Sequence, residues 1–297
     1  MRVVQCIKYG PPEGLQISEV EKPLPGKKEI LVRIYATTVT FGDAMLRSMK
    51  FPLNLIFNIA FGMGRNPVLG HEFAGEVVEV GIGTTRFKTG DKVFGATGYK
   101  GGTYAEFLSV PEDSMVAKMP ENMAYEEAAA VPVGGNTALF ILNKGNIQPG
   151  DKVLIYGASG SVGTYAVQLA KYLGADVTGV CSSKNLDLIK ALGADKIIDY
   201  TQEDFTQLGE TYDVIFDAVG KLSAFDCRQA LKKDGTFLTT SSSTKDSVEN
   251  ISYLKELIEE GHVKAVIDRS YPLEEIVEAH KYVDRGHKKG NVIITVM

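Results

Sequence analysis

The apolar positions of this chain change rhythm once. Over the first 120 residues they come in short, alternating, β-rich runs at 2–9, 14–20, 29–36 and 72–80, and again at 91–95 and 104–110. Turn signals such as Gly10-Pro11-Pro12 and Pro23-Leu24-Pro25-Gly26 separate the runs. One short helix is predicted at 43–49. The apolar stretch 51–61 reads as a loop, because it carries Pro52 and two Asn. This half therefore predicts an antiparallel, barrel-like domain.

Beyond Pro120 the runs lengthen and alternate with 3.6-periodic segments. Helices are predicted at 125–131, 136–144, 161–173, 186–192, 223–231 and 249–260. Strands are predicted at 152–156, 176–180, 196–198, 213–216 and 235–240. Strand and helix in alternation predict a parallel sheet covered on both faces. The tail adds a strand at 263–267, a helix at 273–283 and a strand at 291–296. The pattern therefore predicts an α/β chain, a parallel sheet covered on both faces beside an antiparallel, barrel-like domain.

Composition removes several function classes. A net charge of -5 lacks the positive footprint of a nucleic-acid binder. The three cysteines, Cys6, Cys181 and Cys227, form no CxxC and suit a reducing cytoplasm. No signal-like or bilayer-spanning stretch is read, so a membrane is not expected as a partner.

The glycine turn carries the strongest chemistry. Val153-Leu154-Ile155-Tyr156 is followed by Gly157, Ala158, Ser159, Gly160, Ser161, Val162 and Gly163. In this dinucleotide fingerprint Ala158 fills the first glycine slot, Gly160 admits a pyrophosphate and Gly163 lets helix pack on strand. A packing turn is the competing reading. The second strand ends in Cys181-Ser182-Ser183-Lys184, with no acidic residue for the ribose hydroxyls of NAD. Two hydroxyls and a lysine favour the 2′-phosphate of NADPH, with NADH the alternative. Ser182 and Ser183 also suit a helix cap.

Gly70-His71-Glu72 resembles the segment that supplies one catalytic zinc ligand in alcohol dehydrogenases. Three protein ligands are needed. Thr40 stands where those enzymes carry Cys, residues 131–137 hold no Cys, and no four-cysteine run is present. No metal site is expected.

These residues together identify a resemblance. Pro67-Val68-Leu69-Gly70-His71-Glu72-Phe73-Ala74-Gly75, Gly90-Asp91-Lys92-Val93-Phe94-Gly95, Gly102-Thr103-Tyr104-Ala105-Glu106, the 157–163 turn, Leu192-Gly193-Ala194-Asp195 and Phe216-Asp217-Ala218-Val219-Gly220 resemble the medium-chain dehydrogenase/reductase superfamily, in its zinc-free quinone oxidoreductase (zeta-crystallin-like) branch. The resemblance implies an α/β fold of a Rossmann doubly wound parallel sheet at 123–262 plus a GroES-like β-barrel catalytic domain at 1–122, a return segment 263–297 that completes the first domain, and a cofactor cleft between the two lobes. By position it implies Ser161 and Val162 at the pyrophosphate, and Ser182, Lys184 and Tyr200 around the 2′-phosphate. It places Ala218 and Val219 at the nicotinamide ribose, Thr137 near the nicotinamide, and Asn291 reaching the cofactor from the tail. Relatives often carry Asn at the Thr40 position, and they usually carry a further strand where this chain has the short stretch 240–248. A trimmed sheet and an omitted piece both remain open, and so does a homodimer.

Without a Lewis acid, the expected substrates are small, electron-poor quinones or α,β-unsaturated carbonyls. Thr40 is the expected hydrogen-bond donor to a developing oxyanion. Solvent is the expected proton source. Asp43 and Arg47 are expected to pair along their helix, and Phe41, Leu55 and Phe57 to wall an apolar substrate pocket. Two rivals stand beside this reading. One is an NAD(P)-dependent alcohol dehydrogenase with a weak metal at His71 and Glu72. The other is a nucleotide-binding sensor without turnover.

Overall fold

The computed structural model describes residues 1–242 and 244–297. In chain order its elements begin β1 (Arg2–Cys6), β2 (Leu15–Glu19), β3 (Glu29–Thr38), α1 (Phe41–Arg47), α2 (Leu53–Phe61), β4 (Glu72–Val80), β5 (Lys92–Ala96), β6 (Phe107–Pro111) and β7 (Val116–Lys118). They continue α3 (Tyr125–Ala129), α4 (Pro132–Leu142), β8 (Lys152–Tyr156), α5 (Ser161–Tyr172), β9 (Asp176–Cys181), α6 (Leu186–Ala191), β10 (Lys196–Asp199), β11 (Tyr212–Asp217) and β12 (Leu231–Thr239). The chain ends with α7 (Val248–Glu259), β13 (Ile267–Pro272), α8 (Ile276–Asp284) and β14 (Asn291–Thr295). It forms two compact units, residues 1–133 with 267–297, and residues 134–266.

In the first unit β3 organises the sheet. One of its edges pairs with antiparallel β4. Its other edge is shared, Glu29–Arg33 with β6 and Ala36–Thr38 with β14. The pairings run as a path β13-β14-β3-β4-β5-β7. Alternation along β3 and β4 sends Ile30, Val32, Ile34, Phe73 and Val77 into one core with Tyr104 and Ile294. The stretch around Tyr125 stays with this unit: the Tyr35 and Tyr125 rings stack at 4.5 Å, and the Val133 N–H donates to Glu72. The division at 133/134 therefore falls later than the expected 122/123.

The second unit is a five-stranded, all-parallel sheet in the order β10-β9-β8-β11-β12. Central β8 has no polar alternation because both its faces are covered. The sheet reverses its order between β8 and β11, and ligands of such sheets bind beyond the strand carboxyl ends at that point. From β12 the chain passes to α7 with no sixth parallel strand among the described residues, and Ser243, within the short stretch noted above, lies outside them.

Several expectations need correction. Residues 53–61 form helix α2, not a loop. Pro52 sits at its N-cap and Gly62, at φ 66, closes it, so the breakers bound the helix instead of interrupting it. Residues 224–230 settle into turns, with only Cys227 and Ala230 buried, before β12 begins at Leu231. The strand expected at 263–267 starts at Ile267 and runs to Pro272. Strand β7 was not expected at all. No helix among the described residues is long and apolar enough to cross a membrane.

Candidate functional site

In the second unit, β8 delivers the glycine turn to the order-reversal point. Gly157 has φ 76, and a Cβ there would lie 2.2 Å from Val219 Cγ2. A Cβ on Gly163 would lie 2.2 Å from the Gly157 carbonyl oxygen, so only glycine lets α5 start this close to β8. At Gly160 the same construction meets nothing nearer than 3.5 Å. That leaves an open cradle at the N-cap of a 12-residue helix, whose first N–H groups and dipole attract anions. The cradle fits a dinucleotide pyrophosphate over Gly160, Ser161 and Val162.

Asp217, buried at the end of β11, shapes the neighbouring loop. One of its oxygens accepts the N–H groups of Val219 and Gly220 at 3.0 Å each, and the other accepts that of Leu222 at 2.7 Å. This holds Ala218 and Val219 against the glycine turn. Asn185 ties the turn to the end of β9, donating to Ser159 Oγ at 3.0 Å and Ser182 Oγ at 3.4 Å.

Ser182, Ser183 and Lys184 thus stand beside the cradle. Lys184 is exposed and takes part in no ion pair among the described residues. An acidic residue is nearby after all. Asp199, at the end of β10, accepts from the Ser183 hydroxyl and, through its other oxygen, from the Thr201 N–H and hydroxyl. The Ser183 hydroxyl, with those Thr201 bonds, holds its carboxyl below the usual range. Tyr200 is tethered by its N–H to the Cys181 carbonyl at 3.1 Å. With Tyr156, Phe205 and Arg228 it lines a recess of about 640 Å³. Thr137 lies half-buried in α4.

The first unit gathers a different set. Thr40 is the N-cap of α1 in a reciprocal capping box with Asp43. Its N–H and hydroxyl both donate to Asp43, at 2.8 and 2.6 Å, and its oxygen accepts the Asp43 N–H at 3.1 Å. The hydroxyl has one proton, and in this arrangement Asp43 holds it. The same buried carboxylate accepts from the Gly70 N–H at 3.0 Å and faces His71 Nδ1 at 2.9 Å. Burial pushes Asp43 up, but His71 and Thr40 outweigh burial and leave it below the ordinary carboxylate range.

Arg47 does not pair with Asp43, whose acceptor positions are filled. It reaches α8, donating from Nε to His280 Nδ1 at 3.2 Å and from Nη2 to both Asp284 oxygens at 2.7 Å. His280 Nε2 lies 3.1 Å from the Tyr104 hydroxyl. Burial pulls His280 down to about 4. Because Arg47 donates to Nδ1, the proton of neutral His280 sits on Nε2 and points at Tyr104.

Glu72 is buried at the start of β4. It accepts from the Thr38 hydroxyl and the Val133 N–H, each at 2.6 Å, and burial raises it to about 7. Lys288, in the α8–β14 loop, donates to the Gly290 carbonyl at 2.7 Å. Burial lowers its ammonium to about 8, with Glu72 and Asp268 pulling the other way. Asn291 opens β14 and is buried. Phe41 is exposed. Leu55 borders an open recess of about 510 Å³ with Tyr9 and Phe51. Phe57 instead packs against Phe61, the ring centroids 4.4 Å apart and the planes tilted by 38°.

Comparison with known proteins follows the same division. Residues 26–121 match the alcohol dehydrogenase GroES-like domain and residues 161–278 the zinc-binding dehydrogenase domain. A chloroplastic quinone-oxidoreductase of Triphysaria versicolor is 33% identical over 337 residues, covering 99% of this chain and 98% of the relative. The chain belongs to the medium-chain dehydrogenase/reductase superfamily. Membership of this superfamily places it among oxidoreductases. The chloroplastic NADPH-dependent alkenal/one oxidoreductase of Arabidopsis thaliana is 30% identical, over 96% of this chain and 77% of its own length. The quinone oxidoreductase structure from Coxiella burnetii superposes with a TM-score of 0.90 at 28% identity, covering 100% of this chain and 99% of that one. The first of these alignments is longer than the 297 residues present.

Zinc is the ion that one matched domain description names, and the donors here do not fit it. Glu72 is taken up by Thr38 and Val133 and Thr40 is an N-cap hydroxyl, which leaves His71, with Nδ1 on Asp43, as a single donor where three are needed. Among the described residues no group of three or more His, Cys, Asp or Glu is placed to hold a metal. Sequence reasoning gave no role to Asn185, Asp199, Asp217, His280 or Lys288. For Asp217 the available signal was an acid that closes a buried strand just before Gly220.

Proposed function

We propose that this protein is an NADPH-dependent reductase that passes hydride to a small quinone or α,β-unsaturated carbonyl without zinc. The observation that carries the reading is the end of β9. Ser182, Ser183 and Lys184 stand where an NAD enzyme has its ribose-binding acid, and Asn185 ties them to the pyrophosphate cradle. Asp199 does not replace that acid, because Ser183 and Thr201 occupy its oxygens. The names of the quinone and alkenal/one oxidoreductase relatives support the same substrate class.

In this reading Gly160, Ser161 and Val162 hold the pyrophosphate, and Ser182, Lys184 and Tyr200 the 2′-phosphate. Ala218, Val219, Thr137 and Asn291 serve the nicotinamide end. The bound nucleotide supplies the hydride. An acceptor with its own electron-poor carbon needs no Lewis acid. Thr40 can donate to a developing oxyanion only by turning its hydroxyl from Asp43, exchanging one charge-assisted bond for another. Solvent supplies the remaining proton. The three cysteines are free and buried, as suits a reducing cytoplasm.

The test is NADPH oxidation against a panel of quinones and enones, with NADH alongside and metal analysis of the purified protein. Turnover of the panel with NADPH in metal-free protein supports the proposal. Stoichiometric zinc would restore the alcohol dehydrogenase reading. Tight NADPH binding with no turnover would leave the sensor.

A further inference from the structure

Helix α2 is inside out. Its two polar side chains, Asn54 and Asn58, are one turn apart. Asn58 is 6% exposed and accepts a hydrogen bond from the Tyr9 hydroxyl at 2.6 Å. Leu53, Leu55, Ile56 and Ile59 are exposed, Ile59 to 73%. A surface helix in water shows the reverse, with its apolar stripe on the core. The apolar face continues beyond the helix. Phe51 precedes it and is exposed, and the Phe61 ring lies 5.3 Å from that of exposed Tyr99. Scattered exposed apolar residues need no explanation, whereas a contiguous set does.

The exposed charges that adjoin this face along the chain have one sign. Lys50 precedes α2, Arg65 follows it, and Lys100 adjoins Tyr99; all three are exposed. The two segments that build the patch, residues 44–71 and 92–105, contain no Asp or Glu. An apolar helix face whose own segments bring exposed cations and no acid matches a layer that is apolar inside and anionic at its surface. A second copy of the chain fits less well, because a two-fold contact through this patch sets cations against cations.

We propose that α2 and its rim are a peripheral docking surface for a bilayer containing anionic lipid. Ile56 and Ile59 enter the boundary between headgroups and acyl chains, while Lys50, Arg65 and Lys100 meet lipid phosphates. Asn58, anchored to Tyr9, keeps the apolar face turned outward. The absence of a spanning segment, on which the sequence excluded a membrane partner, does not bear on a helix that lies in the interface.

The test uses the full chain and sedimentation with vesicles of phosphatidylcholine alone or doped with phosphatidylglycerol. The protein should sediment with the anionic vesicles, less as salt rises, and little with the neutral ones. One cation near such a surface is worth about fivefold in affinity, so combined Lys50→Gln, Arg65→Gln and Lys100→Gln should lower partitioning about a hundredfold. Ile56→Gln with Ile59→Gln should abolish it and leave circular dichroism, melting and nucleotide binding unchanged, since both side chains are already exposed. Three results would each overturn the proposal. They are no sedimentation with anionic vesicles, undiminished sedimentation of the double-glutamine variant, or a dimer by light scattering that those two substitutions dissolve.

Discussion

Arg47→Met removes the guanidinium that joins α1 to α8. The side chain is 2% exposed and serves three acceptors: the Asp284 carboxylate, His280 Nδ1 and the Gly10 carbonyl. Their losses are unequal. Asp284 is 38% exposed, so water takes over much of its pairing, and its share must be discounted. Gly10 is also within reach of water. His280 is fully buried, and its orphaned Nδ1 costs about 1–3 kcal/mol. Together these give a loss of about 3 kcal/mol, the low end for breaking a buried ion pair. Urea unfolding followed by tyrosine emission and far-UV circular dichroism measures it; the chain has 13 Tyr and no Trp. Two compact units need not unfold together, so coincidence of the two signals must be checked first. A loss under about 1 kcal/mol would show that the buried network is dispensable, contrary to the reasoning above.

The same variant has a pH signature. Burial lowers His280 from 6.5 to about 4, and Arg47 adds to that. Between those values the unfolded chain binds more protons than the folded one. Stability is therefore lost as pH falls through that window, by up to about 3 kcal/mol. Without Arg47 the folded pKa rises and the window narrows. The gap between wild type and variant should shrink from pH 7.5 toward pH 5. A gap that widens on acidification contradicts the assignment of His280 as a buried neutral ring.

Other consequences follow from single contacts. Lys184→Ala should weaken NADPH about 10- to 100-fold and leave NADH nearly unchanged, as one charge-assisted bond is lost; equal losses by fluorescence titration reject the phosphate contact. Gly163→Ala places a Cβ 2.2 Å from the Gly157 carbonyl oxygen, and should lower melting by several degrees and nucleotide affinity with it. Glu72→Gln tests the buried carboxyl. Burial raises it from 4.5 to about 7, so wild type loses stability as pH rises through that range. The glutamine variant keeps both bonds if the Thr38 hydroxyl reverses, and should be more stable by about 2–3 kcal/mol at pH 8 and by under about 1 kcal/mol at pH 5. A constant difference across that range refutes it.

The sheet of the second unit was legible in the sequence because local chemistry dictates it. A buried apolar run, a glycine turn and a helix start occur in one stretch from Lys152 to Tyr172. Helix α2 was misread for a reason of the same kind. Pro52 and Gly62 are breakers wherever they fall, and only the structure reveals that they fall at the ends. Strand β7 is three residues long, too short to show alternation, and exists through pairing with β5.

The candidate site divides along the same line. Residues that act through backbone and local turns, such as Gly157, Gly163 and Ser182, announce themselves by spacing. The network around Asp43 does not. Asp43 and Arg47 are one turn apart on α1, and i,i+4 pairing is the natural expectation from sequence. Yet Arg47 finds its partners 233 and 237 residues away, and Asp43 finds Gly70 across 27. No periodicity encodes such contacts; the return of α8 to the first unit creates them. Their consequence is chemical as well as structural. Asp43 gathers Thr40, Gly70 and His71 on one carboxylate, and so decides both where the Thr40 proton rests and which nitrogen of His71 faces inward. The hydroxyl that sequence reasoning assigned to a substrate is thereby first of all a helix cap. Any catalytic use of it must compete with a buried anion 2.6 Å away.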